Sequence, residues 1–201
     1  MIFRRVTPRQ RNSISRNSPH RRTLLTLTLG AIVSGGLLSA PVASAQSFVE
    51  YQHLFRDGSP SPTVDGQLAI PGKTVDIVAW FLASDVWGEA LFGISKSIRP
   101  WLWASVQAGL ETDREPWRVN VSAGGGRGRL SVFFTNETGG SGYWYRFTST
   151  ARVASFAAVG IHSQRFYGTG PYIQMFLGQG FGVWASVVKG PESLVGITKS
   201  F

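Results

Sequence analysis

An all-β chain closed into an antiparallel up-and-down barrel is the fold class that this sequence predicts, and three observations lead there. From residue 73 onward, apolar and polar residues alternate over short stretches bounded by Gly and Pro, as strands with two different faces require. No stretch beyond residue 73 carries sustained helical periodicity. The run Ser193 to Phe201 is itself a strand pattern, with Val195, Ile197 and Phe201 on one face and Leu194, Gly196, Thr198 and Ser200 on the other. A final strand of this kind needs a partner, and a barrel supplies one by pairing its last strand with its first.

The first 45 residues read as a cleaved export signal. Arg4 to Arg22 form a basic leader, an apolar run follows from Leu24 to Leu38, and Val42-Ala43-Ser44-Ala45 ends it in small residues, predicting cleavage after Ala45. The apolar run is short against the roughly 20 residues that a membrane-spanning helix needs. Arg21-Arg22-Thr-Leu-Leu weakly resembles a twin-arginine signal. That route carries folded proteins, whereas a membrane barrel crosses the inner membrane unfolded, so the general secretory route is expected.

Residues 46–72 read as a short helix and a linker. Phe48, Tyr51, Leu54 and Phe55 recur at helical spacing, and Asp57 to Gly66 contains Ser-Pro-Ser-Pro. Residues 73–201 hold the strand array. About ten strands are predicted, near 74–84, 87–98, 101–111, 117–124, 128–136, 142–149, 152–162, 171–178, 181–189 and 193–201, with eight or twelve also compatible. The clearest is Trp101 to Glu111, where Leu102, Ala104, Val106, Ala108 and Leu110 share one face.

Charge says which face meets what. The chain carries 20 Lys+Arg against 11 Asp+Glu. Seven of the Arg lie in the first 45 residues, where there is no acid, so the remainder holds 13 basic and 11 acidic residues. No basic patch and no nucleic-acid partner are expected of the mature chain. Charged residues make up 15% of the sequence, low against the roughly 25% of ordinary globular proteins. The polar faces are built of Ser, Thr, Gly, Gln and Asn. A soluble barrel with so bare an exterior is prone to association, whereas a membrane barrel places the apolar face in lipid and the small polar residues in its lumen.

The connections agree. Arg99-Pro100, Gly125-Gly126-Arg127, Thr150-Ala151 and Gln179-Gly180 are expected as tight turns at one end, with longer loops at Thr112 to Pro116, Glu137 to Ser141 and Ser163 to Gly170 at the other. Trp117, Tyr143 and Tyr145 then fall near the outer interface and Phe201 near the inner one, as an aromatic girdle. Lys96 and Lys199 fall on apolar faces near the inner strand ends, where the cost of charge is low.

The signal segment, the alternating strands and the terminal Leu194-Val-Gly-Ile-Thr-Lys-Ser-Phe201 together resemble small bacterial outer-membrane β-barrel proteins. The resemblance covers residues 73–201. It implies that Phe201, with Ile197 and Val195 at alternate positions before it, is read by the barrel-assembly machinery, and that outer-membrane lipids surround the barrel. Lys199 departs from the pattern, which favours an apolar residue there.

Candidate chemistry is sparse. Arg118, Arg146 and Arg152 share the inferred lumen with Asp76, Glu89, Glu111 and His162, and a salt-bridge network filling a narrow interior is expected of them. His162-Ser163 only loosely resembles the His and Ser of outer-membrane lipid A deacylases, because adjacent strand residues point to opposite faces. No metal-ligand spacing, nucleophile elbow, P-loop or cofactor motif is present, and the chain has no Cys. The expected function is a structural, adhesive or narrow-pore outer-membrane barrel without evident catalytic machinery. A lipid-modifying barrel enzyme and a secreted soluble barrel binding an apolar ligand are the alternatives.

Overall fold

The computed structural model describes residues 46–55, 61–189 and 192–201; the expected signal segment and its cleavage site lie outside them. Twelve strands form one closed barrel: β1 (Phe48–Phe55), β2 (Ser61–Ile70), β3 (Asp76–Ser84), β4 (Gly88–Arg99), β5 (Leu102–Glu111), β6 (Trp117–Arg127), β7 (Leu130–Gly139), β8 (Gly142–Ala154), β9 (Ala157–Gln164), β10 (Gly168–Gly178), β11 (Phe181–Lys189) and β12 (Glu192–Ser200). Every strand pairs antiparallel with its sequence neighbours, and β12 returns to β1. That seam pairs Phe48 with Ser200 and runs to Phe55 opposite Ser193. The Phe201 N–H extends it by donating to the Ser47 carbonyl at 3.0 Å. With no free edge left, every strand has its backbone groups paired on both sides.

The ten predicted strands correspond to β3–β12, and two more precede them. The expected helix is β1 and much of the expected linker is β2. The helical spacing in β1 arises because apolar residues lie on both of its faces. Tyr51 and Phe55 point outward, while Leu54 turns inward beside the buried Glu50 and Gln52. In β2 the residues that suggest a loop each have a strand role. Asp65 and Gln67 are buried in the lumen, and Gly66 faces outward against the Phe81 ring, which a Cβ there would meet at 2.8 Å.

The connections are shorter than expected at the end opposite the termini. Residues 140–141 and 165–167 suffice where loops of five and eight residues were expected, because β7, β9 and β10 extend into them. The β8–β9 turn falls at 155–156 rather than at Thr150-Ala151, and the β6–β7 turn at Gly128-Arg129. Gly128 has φ 65°, and Gly178, Gln179 and Gly180 all have positive φ at the β10–β11 turn. This is the backbone that a two-residue hairpin needs to match strand twist.

The outward face is apolar along most of its height: Ile77, Phe92, Ile94, Val106, Leu110, Val121, Ile161, Ile173 and Ile197 are all exposed. The interior is the polar core, with Gln67, Gln107, Asn120, Ser122 and Thr135 buried. Two apolar clusters interrupt it. Leu54, Tyr172, Trp184, Val188 and Leu194 pack on one wall, and Val78 packs with Trp103 on another. Each tryptophan lies over a glycine directly across the strand pair, Trp184 over Gly196 and Trp103 over Gly124. A Cβ would come within 2.4 Å of the first indole and 2.7 Å of the second.

Candidate functional site in the barrel lumen

The lumen holds two charge clusters built differently. In the first, four consecutive strands each contribute one residue near the end opposite the termini: Glu89, Glu111, Arg118 and Glu137. Glu89 and Glu111 stand directly opposite each other on β4 and β5, an unfavourable placement for like charges without a cation between them. Arg118 supplies it. Its Nη1 lies 2.7 Å from Glu111 Oε2, and its Nε lies 2.8 Å from Glu137 Oε2 and 2.9 Å from Glu89 Oε2. Nε has one hydrogen, directed to Glu137, so that contact with Glu89 is charge alone. Neutral donors complete the shell: Trp80 Nε1 to Glu89, Ser141 Oγ and N–H to Glu111, and Asn120 Nδ2 to Glu137. The Trp87 ring covers the guanidinium at 4.8 Å. Arg118 is 2% exposed.

The second cluster crosses the lumen. Arg146 projects from β8, which lies half-way round the ring from β1 and β2. Its Nη2 donates to Glu50 Oε1 at 2.6 Å, and Nη1 reaches Asp65 Oδ2 at 3.5 Å. Glu50 Oε2 accepts from Trp184 Nε1 at 2.7 Å and Thr198 Oγ1 at 2.9 Å, and Gln52 donates to Asp65. Gln107 of β5 adds a shorter chord, donating to Gln67 Oε1 of β2 at 3.2 Å. Side chains from opposite walls therefore meet, and the lumen is filled at these levels. In all, five buried carboxylates face two buried guanidiniums among the described residues.

The expected lumen residues divide. Glu89, Glu111 and Arg118 come together, while Arg146 belongs to the other cluster. His162 is fully buried, with Thr148 Oγ1 at 3.1 Å and Gln164 Oε1 at 3.3 Å, stacked against Tyr172 and Trp184. Asp76 and Arg152 lie at the terminal mouth, outside both clusters. Asp76 accepts from the Gly72 N–H in the β2–β3 turn, and Arg152 rests over the Phe176 ring. Ser163 is paired with Thr169 on the outward face, so the structure does not bring it to His162. Among the described residues no group of His, Cys, Asp and Glu could hold a metal ion.

Trp117 and Tyr143 are exposed at the end opposite the termini, with Tyr145 at 5.8 Å from Tyr143, and Phe201 is exposed at the terminal end. Lys199 sits over the Phe181 and Phe201 rings and donates to the Gln179 carbonyl, so the residue that departs from the apolar pattern is held at the rim. Glu50, Asp65 and Glu137 are the buried charged lumen residues that the sequence reading missed. All three fall in segments read as helix, linker or loop. Strand parity continued past Thr135 places Glu137 on the lumen face and was the available signal.

Among solved structures, the barrel is similar to the KdgM porin and to the KdgM porin in complex with disordered oligogalacturonate. Each matches with a TM-score of 0.53 and 12% identity over 77% of this chain and 99% of that chain. The outer membrane protein Omp33 of Acinetobacter baumannii aligns with a TM-score of 0.47 and 10% identity over 78% of this chain and 96% of its own. No family model and no curated protein matches the sequence. The fold is that of small bacterial outer-membrane β-barrels, here with twelve strands.

Proposed function

We propose that this chain is a narrow-pore barrel of the bacterial outer membrane, obstructed at rest by its own side chains and favouring cations over anions. One observation carries the selectivity: among the described residues, five buried lumen carboxylates stand against two buried guanidiniums. Rings of Asp and Glu favour cations for this reason, and an unbalanced buried carboxylate is costly until a counter-charge reaches it. The exposed apolar belt supports membrane residence, and the porin-like fold supports passage. The polyanion in the KdgM complex is not carried over, because an acidic lumen repels it. Export by the secretory route, cleavage after Ala45 and assembly through the Phe201 strand belong to the same reading.

The test is the reversal potential of the purified barrel in a planar bilayer under a KCl gradient. The proposal expects small current steps reversing toward the potassium equilibrium potential. Reversal toward chloride would refute the selectivity. A folded barrel that passes no current even with Arg146 truncated would refute the pore.

A further inference from the structure

The near balance of 13 basic and 11 acidic residues beyond residue 45 hides a segregation that only the register reveals. On β4, Lys96 and Arg99 belong to the outward face near the terminal end, with the bulge residue Ile98 between them and Arg99 opposite Leu102. On β6, Arg127 occupies the same face at the same end, paired with Leu130, and Arg129 follows in the turn. All four are exposed. Trp101 lies between the two strands, its carbonyl accepting from the Gly126 N–H at 3.0 Å, and the residue is 43% exposed.

No acid accompanies them. The sequence holds no Asp or Glu from Lys96 to Leu110 or from Arg118 to Asn136, and the carboxylates paired with Arg118 and Arg146 lie in the lumen, away from this face. The nearest carboxylate on the adjoining strand, Asp76, has the lumen-side parity of the buried Val78 and is engaged by Gly72. The opposite end mixes signs, with Asp85, Asp113 and Glu115 near Arg114 and Arg165.

We infer that the outward face of β4–β6 at the terminal end is a binding site for the headgroup of an anionic glycerophospholipid. Ile98 is exposed among the basic residues, and Ile94, Val106 and Val121 are exposed farther along the same face. A ligand there must be anionic at the rim and apolar along the barrel wall, which describes a lipid and not a soluble polyanion. The arginines offer forked donors to a phosphate, Lys96 can extend its stem along the isoleucines toward the rim, and Trp101 suits the boundary between headgroup and chain. The inference requires the barrel to lie in a membrane; it does not require it to conduct.

The detergent-purified, folded barrel is titrated with phosphatidylglycerol, with phosphatidylcholine and with lipopolysaccharide, and retained lipid is counted by native mass spectrometry. Wild-type protein is expected to retain phosphatidylglycerol over phosphatidylcholine. The triple variant R99Q/R127Q/R129Q is expected to reduce that preference by about tenfold or more, from the lost attraction of three surface cations. R114Q/R165Q at the other end is expected to preserve it. Should the triple variant lose the heat-dependent mobility of a closed barrel, R127Q alone is expected to give a severalfold loss. Equal retention of the two phospholipids by wild type, an undiminished preference in the folded arginine variants, or lipopolysaccharide displacing phosphatidylglycerol from the patch would each overturn the assignment. A barrel released from membranes by carbonate washing would instead sink the membrane reading on which it stands.

Discussion

The two lumen clusters use the same chemistry at different ranges. Arg118 gathers carboxylates from strands β4, β5 and β7, all of them its near neighbours in the wall. Arg146 reaches partners 96 and 81 residues away, on the far side of the barrel. The first ties adjacent strands together and offsets the repulsion that the Glu89–Glu111 pairing creates. The second braces the barrel across its width and, in the proposed pore, stands in the path of a solute. On the proposed function, stability and passage fall to different arginines.

Variants can separate the two. The largest effect is expected from Arg118→Ala, which leaves three buried carboxylates without their cation. Breaking a buried pair in this way costs about 3–5 kcal/mol, and the heat or urea required to unfold the barrel should fall accordingly. Replacing the whole cluster at once, with R118M, E89Q, E111Q and E137Q together, is expected to restore much of that loss, because the cost lies in uncompensated charge. An R118A barrel as stable as wild type would erase the distinction between the clusters.

Arg146→Ala is expected to destabilise less, because it leaves two buried carboxylates rather than three without a cation. Glu50 keeps Trp184 and Thr198 as donors and Asp65 keeps Gln52, so its main consequence should be an opened lumen. Gly196→Val is smaller still. Its side chain must displace the Trp184 indole, and overpacking of this kind costs about 1–3 kcal/mol, measured as a shift in the urea midpoint. The smallest effect is expected from Ser163→Ala. It removes one partly buried hydroxyl contact to Thr169 on the outward wall, worth about 1 kcal/mol or less, and should leave conductance unchanged.

How much of this was legible follows from where the usual rules invert. Alternation was readable wherever the outward face was uniformly apolar and the inward face small and polar, as from Ala104 to Leu110 in β5, and it located β3–β12. It failed in β1, where Leu54 joins an apolar patch inside the lumen, and in β2, where Pro62, Asp65 and Gly66 mimic a loop. Inside a barrel, a buried Asp is ordinary once Arg146 meets it. The clusters themselves were only half readable. Parity assigned Glu89, Glu111, Arg118 and Arg146 to the lumen, but nothing local in a sequence says that β8 lies opposite β1 and β2. That depends on strand number, and two unrecognised strands change which walls face each other. The basic patch was hidden by summing charge along the chain instead of around the ring.

The most direct test of the account is the single-channel conductance of Arg146→Ala beside wild type, both verified as closed barrels by heat-dependent mobility. The account predicts small or infrequent wild-type steps and clearly larger steps in the variant, still reversing toward potassium. Identical conductance in the two proteins would contradict the claim that the Arg146 bridge obstructs the passage.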